Sequence, residues 1–296
     1  MEPVTDLIAR AEGLLARLEV LLPEAPQSPQ WDQAIAFRWR SRNGRGWLQP
    51  VAHPHRMRLA DLCGIDEQKK TIDRNTRQFV EGKPANNVLL TGARGTGKSS
   101  LVKAVLNQYA KRGLRLIEID KQHLGELPDI VDLIYDRPER FILFCDDLSF
   151  GAEEPGYQAL KAILDGSIAS NSENMLVYAT SNRRHLMPEY MAENELTRHT
   201  GGEVHPDEAV EEKVSLSERF GIWLSFYPFD QDEYLAVVER WVGVLGDLPK
   251  DKDALHRAAL NWALGRGSRS GRVAWQFARD WAGQQPAGKR PGGKSG

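Results

Sequence analysis

The sequence predicts an α/β fold in which a parallel sheet carries helices on both faces, and three observations predict it. A short apolar run, Val88-Leu89-Leu90, leads straight into Gly92-Ala93-Arg94-Gly95-Thr96-Gly97-Lys98-Ser99, which fits the G-x-x-x-x-G-K-[ST] phosphate-binding pattern without a gap. Further apolar runs of strand length follow at Leu114 to Ile119, Phe141 to Cys145, Met175 to Ala179 and Ile222 to Phe226, with helical stretches between most of them. Strands this apolar are buried on both faces, as a parallel sheet with right-handed crossovers requires. The polar clusters fall just past these runs or on a helix that follows, and ligands of open parallel sheets bind there, beyond the strands' carboxyl ends.

The first cluster carries the most specific chemistry. Glycines let the backbone curl until successive N–H groups point at one anion, and the helix N-terminus adds a partial positive charge. Leu101, Val102, Val105 and Leu106 recur at helical spacing, so the loop opens a helix. Lys98 would bridge the β- and γ-phosphates of a nucleotide, and the Ser99 hydroxyl would ligate Mg²⁺. The candidate nucleotide contacts are therefore Gly92, Ala93, Arg94, Gly95, Thr96, Gly97, Lys98, Ser99 and the adjoining Ser100.

Composition bounds the rest. The chain has 296 residues, 27% of them charged, and a net charge of −2, so no global charge points to nucleic acid or membrane. No run approaches the ~18 apolar residues of a membrane span. The N-terminus lacks the basic and apolar regions of a signal peptide. Cys63 and Cys145 sit in apolar surroundings far apart in sequence and are read as reduced thiols, so a cytoplasmic location is expected.

Ahead of the phosphate loop, Leu7, Ala11, Leu14, Leu15, Leu18 and Leu22 share one helical face, and a Pro-rich linker follows. AFRWRSRNGRGWLQPV then alternates around Asn43-Gly44, the pair most typical of a two-residue hairpin turn. The alternation puts Phe37 and Trp39 on one face, with Trp47 expected beside them, while Arg38, Arg40, Arg42 and Arg45 crowd the rest. Aromatics among arginines could stack bases and grip phosphates. The plainer reading, aromatics packed on the hairpin's own helix with solvated arginines, is preferred, and docking of a protein partner is the third reading.

Asp146-Asp147 ends an apolar strand, where a carboxylate is costly unless a cation answers it. Asp146 is placed to hold Mg²⁺ opposite Ser99, and Asp147 to orient or deprotonate an attacking water. A helix N-cap is the structural alternative. The next strand ends in Thr180-Ser181-Asn182, where the Asn182 amide could hydrogen-bond the water or the γ-phosphate. Ser217-Glu218-Arg219-Phe220-Gly221 precedes the last strand, and burial of Phe220 would fix the direction of Arg219. Gly271-Arg272 opens a helix with Ala274, Phe277, Ala278 and Trp281 on one face. Arg272 could reach down to the nucleotide, with Arg266 and Arg269 as competitors.

A phosphate loop, an acidic strand end, a strand ending in Asn, an S-E-R-F-G arginine and a Gly-Arg helix start, in that order, resemble an AAA+ ATPase over roughly Leu59 to Gly283. On that resemblance Gly92 to Ser99 match Walker A, and Asp146 and Asp147 Walker B. Asn182 matches sensor 1, Arg219 the arginine finger and Arg272 sensor 2. Phrases such as RFILFCDDLSF and YATSNRRHL resemble one bacterial AAA+ group known only by a domain of unknown function, number 815.

The resemblance implies a three-layer P-loop NTPase with a parallel five-stranded sheet. Residues 1–58 would be an accessory region of helix and hairpin, 59–227 the nucleotide domain, 228–283 a helical lid and 284–296 a disordered tail. It also implies ATP with Mg²⁺ and a homo-oligomeric ring or arc in which Arg219 serves a neighbour. The client, protein or nucleic acid, is left open.

Two departures qualify the match. Asp147 stands where most members have Glu, and Asp120 to Pro128 lacks the pore aromatic of polypeptide-threading members. A nucleotide-gated adaptor with little hydrolysis and a P-loop kinase are the alternatives. Within an acidic insert between Pro188 and Lys213, His199, Glu203 and His205, with His185 just ahead of it, could bind a metal. An interaction loop is preferred there.

Overall fold

Seven strands form one sheet in the order β2-β1-β4-β5-β6-β3-β7 in a computed structural model that describes residues 29, 31–150, 155–166, 173–182 and 216–285. The strands are β1 (Ala36–Arg42), β2 (Arg45–Pro50), β3 (Val88–Gly92), β4 (Leu114–Glu118), β5 (Arg140–Cys145), β6 (Met175–Ser181) and β7 (Ile222–Phe226). All neighbours from β1 through β7 run parallel, and only β2 is antiparallel to its partner. The five strands read from apolar runs are all present. The expected count of five is short by two, because the hairpin joins the sheet: Ala36 to Arg38 lie in parallel register with Leu116 to Glu118. The compact unit that holds the sheet begins at Trp31. The expected N-terminal helix, the insert between Pro188 and Lys213 with its histidines, and the tail from residue 286 lie outside the described residues.

Alternation along the buried strands sends side chains into two cores. On one face Leu89, Phe141, Leu143 and Val177 pack with α3 (Leu127–Ile134) and with Tyr157 and Leu160 of α4 (Pro155–Leu164). On the other, Val88, Leu90, Ile142, Phe144 and Tyr178 pack against α1 (Asp66–Val80) and α2 (Lys98–Tyr109). Helices on both faces of one sheet give the expected three layers. Full burial of each such side chain contributes about 1.5–3 kcal/mol before conformational entropy is set against it.

One buried polar cluster crosses the second core. The Tyr178 hydroxyl lies 2.8 Å from Thr76 Oγ1 and accepts from Asn75 Nδ2 at 3.1 Å. Asn75 in turn brackets the residue leading into β3, donating to Asn86 O at 2.9 Å and accepting from Asn86 N at 3.0 Å. Burial pushes the Tyr178 phenol up to about 12. A hydroxyl kept neutral and fully paired is what a dry interior tolerates. Both cysteines are free thiols, and burial beside Asp146 pushes Cys145 up to about 12.

Beyond β7 come α5 (Gln231–Leu245), α6 (Lys252–Arg266) and α7 (Gly271–Gln284), which enclose a third core of Tyr234, Val238, Leu255, Ala259, Ala274 and Phe277. Asp230 starts α5 with a capping box, its carboxylate accepting from Glu233 N while Glu233 reaches back to Asp230 N. Asp61, just ahead of α1, accepts from Arg240 of α5 at 2.9 Å and ties these helices to the sheet-bearing part. None of the described helices is long and apolar enough to cross a membrane.

Candidate active site

The phosphate loop follows β3 at the sheet's carboxyl edge, and its glycines answer to its neighbours. Gly92 has φ +126°, and a Cβ there would sit 1.9 Å from Phe226 O at the end of β7. Gly95 has φ +77° and lies against Ser270 and Arg272, with a Cβ position 2.9 Å from Ser270 Oγ. Gly97, φ +101°, occupies the N-cap of α2 and brings no side chain to cap it. The first-turn N–H groups of Lys98, Ser99 and Ser100 thus have no side-chain cap, and an anion is the partner such amides favour.

Lys98 is buried, and its ammonium donates to Gly92 O and Ala93 O at 2.7 Å each and to Asn182 Oδ1 at 3.1 Å. Burial lowers its pKa. Asp146 and Asp147 oppose that shift, while Arg94 and Arg272 add to it. The positive charge of Arg272 is therefore felt at the loop. By contrast, Arg266 stacks over its own helix's Trp262 at 5.1 Å. Of the candidates on the C-terminal helices, Arg272 is the one packed against Gly95.

Across the loop, Asp146 Oδ1 accepts from Ser99 Oγ and from Thr180 Oγ1, both at 2.6 Å. Thr180 Oγ1 also accepts from Asp147 N at 2.9 Å, and Leu148 N donates to Thr180 O at 2.6 Å. β6, lying between β3 and β5, thus fixes the acidic turn from its own end. Asn182, two residues beyond Thr180, bridges the site: its Oδ1 takes the Lys98 ammonium and its Nδ2 donates to Asp147 Oδ1.

Asp147 has φ +55°, one of two non-glycine residues in the left-handed region among those described. Short Asp and Asn side chains tolerate that region best. This supplies a local reason for Asp where the resemblance leads one to expect Glu. Arg94 of the loop reaches to 3.8 Å from Asp147 Oδ2, both groups being well exposed.

The structure therefore brings together Gly92 to Ser100, Asp146, Asp147, Asn182 and Arg272. It does not bring Arg219 to them. Arg219 precedes β7, whose first residue pairs with Val88, whereas the phosphate loop follows Gly92 at the other end of the same strand pair. Four residue steps of parallel strand separate the two levels, about 13 Å. Leu216, Ser217 and Phe220 are buried and anchor the turn, and Arg219 Nε donates to Asp165 Oδ1 at 2.5 Å.

Sequence reasoning missed Thr180 as a site residue. The signal was its spacing, since residues two apart on a strand share a face and Asn182 was already a candidate. On these residues, Ser99 Oγ and Asp146 are the groups that would hold Mg²⁺, and Lys98 with the uncapped amides would hold a polyphosphate. The donor set fits both.

Fold and site together define a P-loop nucleotide-binding protein of the AAA+ class. The family model described as "Protein of unknown function (DUF815)" matches residues 32–285, and the chain belongs to that family. Among curated relatives, the 26S proteasome regulatory subunit 4 homolog of Schizosaccharomyces pombe is 31% identical over 182 residues, 52% of this chain and 40% of that protein. The replication factor C large subunit of Staphylothermus marinus is 34% identical over 74 residues, 25% of this chain and 17% of that one. The matched stretches thus span less than half of either relative. Among solved structures, the FIGL-1 AAA domain in complex with ADP shares 18% identity at a TM-score of 0.49, covering 77% of this chain and 73% of that one.

Proposed function

We propose that this protein binds MgATP in the Gly92–Ser100 loop and hydrolyses it, and that it works as a homo-oligomer whose subunits complete one another's sites. The observation that carries the reading is the pairing of Ser99 with Asp146 at 2.6 Å, with Asn182 joining Lys98 to Asp147 beside it. Lys98 and the loop amides bind and orient the phosphates. Ser99 and Asp146 hold Mg²⁺, which when bound neutralises charge on the triphosphate. Asp147 takes the proton of the attacking water, and Asn182 keeps that carboxylate turned toward the loop.

Arg219 serves a neighbour's nucleotide, because it lies at the opposite sheet edge from the loop of its own chain. A head-to-tail contact of this kind generates a ring or an open arc. The client is a macromolecule that such an assembly remodels or loads. A second reading, a nucleotide-gated adaptor with slow hydrolysis, draws on the engagement of Asp147 by Asn182 and Arg94.

Subunit mixing tests trans catalysis. Lys98→Ala and Arg219→Ala are each expected to be inactive alone, one lacking the phosphate grip and the other the finger. Mixed in equal amounts, they form some interfaces with Lys98 on one side and Arg219 on the other, about a quarter of the total in a random head-to-tail assembly. Turnover returning to that fraction supports the reading. An Arg219→Ala protein that keeps full turnover at every dilution overturns the trans role. Turnover below about one per minute in the wild type, with MgATP uptake intact, would transfer the assignment to the adaptor.

A further inference from the structure

The hairpin presents a surface that the nucleotide site leaves unused. Its register pairs Arg38 with Gln49, Arg40 with Trp47 and Arg42 with Arg45. Residues directly opposite on antiparallel strands share a face, so one face presents Trp47 among Arg38, Arg40, Arg42 and Arg45. Trp47 is not with Phe37 and Trp39, as its expected position had it. Those two are buried in the first core with Leu124 and Leu127, which removes them as stacking groups.

The hairpin is held stiffly. Trp39 Nε1 donates to Glu126 Oε2 at 2.7 Å, and Trp31 packs edge-on against Phe37 with ring centroids 4.8 Å apart. Arg38 is committed to Glu118 at 2.7 Å, and Arg40 is shared between Gln49 at 3.1 Å and Asp120 at 3.7 Å. Arg42 and Arg45 have no acidic partner among the described residues. They sit directly opposite each other around Asn43 (φ +52°) and Gly44 (φ +71°), an arrangement of like charges that costs free energy.

β1 runs parallel to β4, and its last residue in register with β4 is Arg38. The tip therefore projects four residues, about 13 Å, past that point, toward the carboxyl edge where the phosphate loop lies.

We propose that this face binds single-stranded nucleic acid, with Trp47 stacking an unpaired base and Arg42 and Arg45 gripping the phosphates on either side. The charge pattern fits any polyanion. The partly exposed indole among the guanidiniums favours a polymer that carries flat bases, and a base is free to stack only where the strand is unpaired. A chain of net charge −2 that concentrates unpaired arginines on one rigid tip does so locally, not as part of a basic surface. The proposal is independent of hydrolysis and goes beyond the ATPase reading.

Fluorescence anisotropy with a dye-labelled 20-nucleotide oligothymidine, without ATP, tests it. With two phosphate contacts, wild-type binding is expected to weaken roughly five- to tenfold between about 50 and 200 mM salt. The Arg42→Glu/Arg45→Glu double variant should bind at least about tenfold more weakly and with a shallower salt dependence. Trp47→Ala should lose roughly five- to a hundredfold in affinity at an unchanged salt dependence, the signature of a lost stack. Arg42 and Arg45 are exposed, so a thermal midpoint equal to wild type is expected for the double variant; Trp47→Ala removes a partly buried side chain, and its binding is read well below its own midpoint. No wild-type binding, a double variant that binds as wild type, or a Trp47→Ala variant of full affinity would each overturn the proposal. Displacement of the oligonucleotide by polyglutamate at equal charge concentration would overturn it too, by assigning the face to acidic polypeptide.

Discussion

Removing one hydroxyl, in Thr180→Val, should damage both stability and turnover while leaving nucleotide binding nearly intact. Thr180 is 2% exposed and its Oγ1 does two jobs, donating to Asp146 at 2.6 Å and accepting from Asp147 N at 2.9 Å. Valine keeps the shape and the β-branched fit to the strand, so no cavity term enters. The bond to Asp146 is charge-assisted, but that carboxylate is exposed and water replaces much of what is lost, leaving about 0.5–1 kcal/mol. The Asp147 N–H loses its acceptor in a partly buried turn, which costs about 1–2 kcal/mol.

The total is about 1.5–3 kcal/mol in urea unfolding. Asp147 is held at φ +55° by this bond, so its carboxylate also loses its aim, and turnover should fall about 10- to 100-fold. MgATP affinity by calorimetry should change less than about threefold, since the phosphate contacts come from Lys98 and the loop amides. Thr180→Ser, which retains the hydroxyl, should recover most of the turnover. A valine variant within about 0.5 kcal/mol of wild type and equally active would refute the reasoning.

Asp147→Asn preserves an acceptor for Asn182 and a side chain suited to positive φ. MgATP uptake should therefore persist while hydrolysis falls about 10²-fold or more, read as retained calorimetric binding without phosphate release. Gly92→Ala should fail to fold or lose several kcal/mol, because its Cβ would lie 1.9 Å from Phe226 O at a backbone angle alanine resists; thermal melting decides it. Asp61 is held at about 2 by Arg58 first, against some desolvation, and by Arg240. Its folded pKa lies below its unfolded one, so its contribution is present above about pH 4 and lost as pH falls toward 2. With Arg58 largely exposed, that contribution is about 1–2 kcal/mol, and the gap in urea midpoint between wild type and Asp61→Asn should close on acidification.

How far the sequence could be read follows from the range of the forces involved. Five strands were legible because burial on both faces writes a run of apolar residues that no surface element needs, as in Phe141 to Cys145. The phosphate loop was legible because its backbone shape demands glycine at fixed offsets, and Gly92, Gly95 and Gly97 all have positive φ. What stayed hidden depended on contacts between distant segments. The parallel docking of Ala36–Arg38 on Leu116–Glu118 leaves no local mark on either segment. Nor does Asp147 announce its left-handed conformation; that follows from Thr180, a residue on another strand.

In the hairpin, by contrast, the information that decides which face each residue takes is local. A two-residue turn at Asn43-Gly44 makes Arg42 face Arg45. Each step away from the turn lowers one number by one and raises the other by one, so an odd-numbered residue always faces an even-numbered one. Phe37 and Trp39 on β1 must then share their face with even-numbered residues of β2, and Leu48 is the buried one. Trp47 falls opposite Arg40, on the other face. A tryptophan fixed among arginines by turn length alone sits there whether or not the core has use for it, so part of its indole stays at the surface on the arginine face. That partial exposure ties the case for a base-stacking ligand to Trp47 more closely than to the arginines, which any solvated strand can carry.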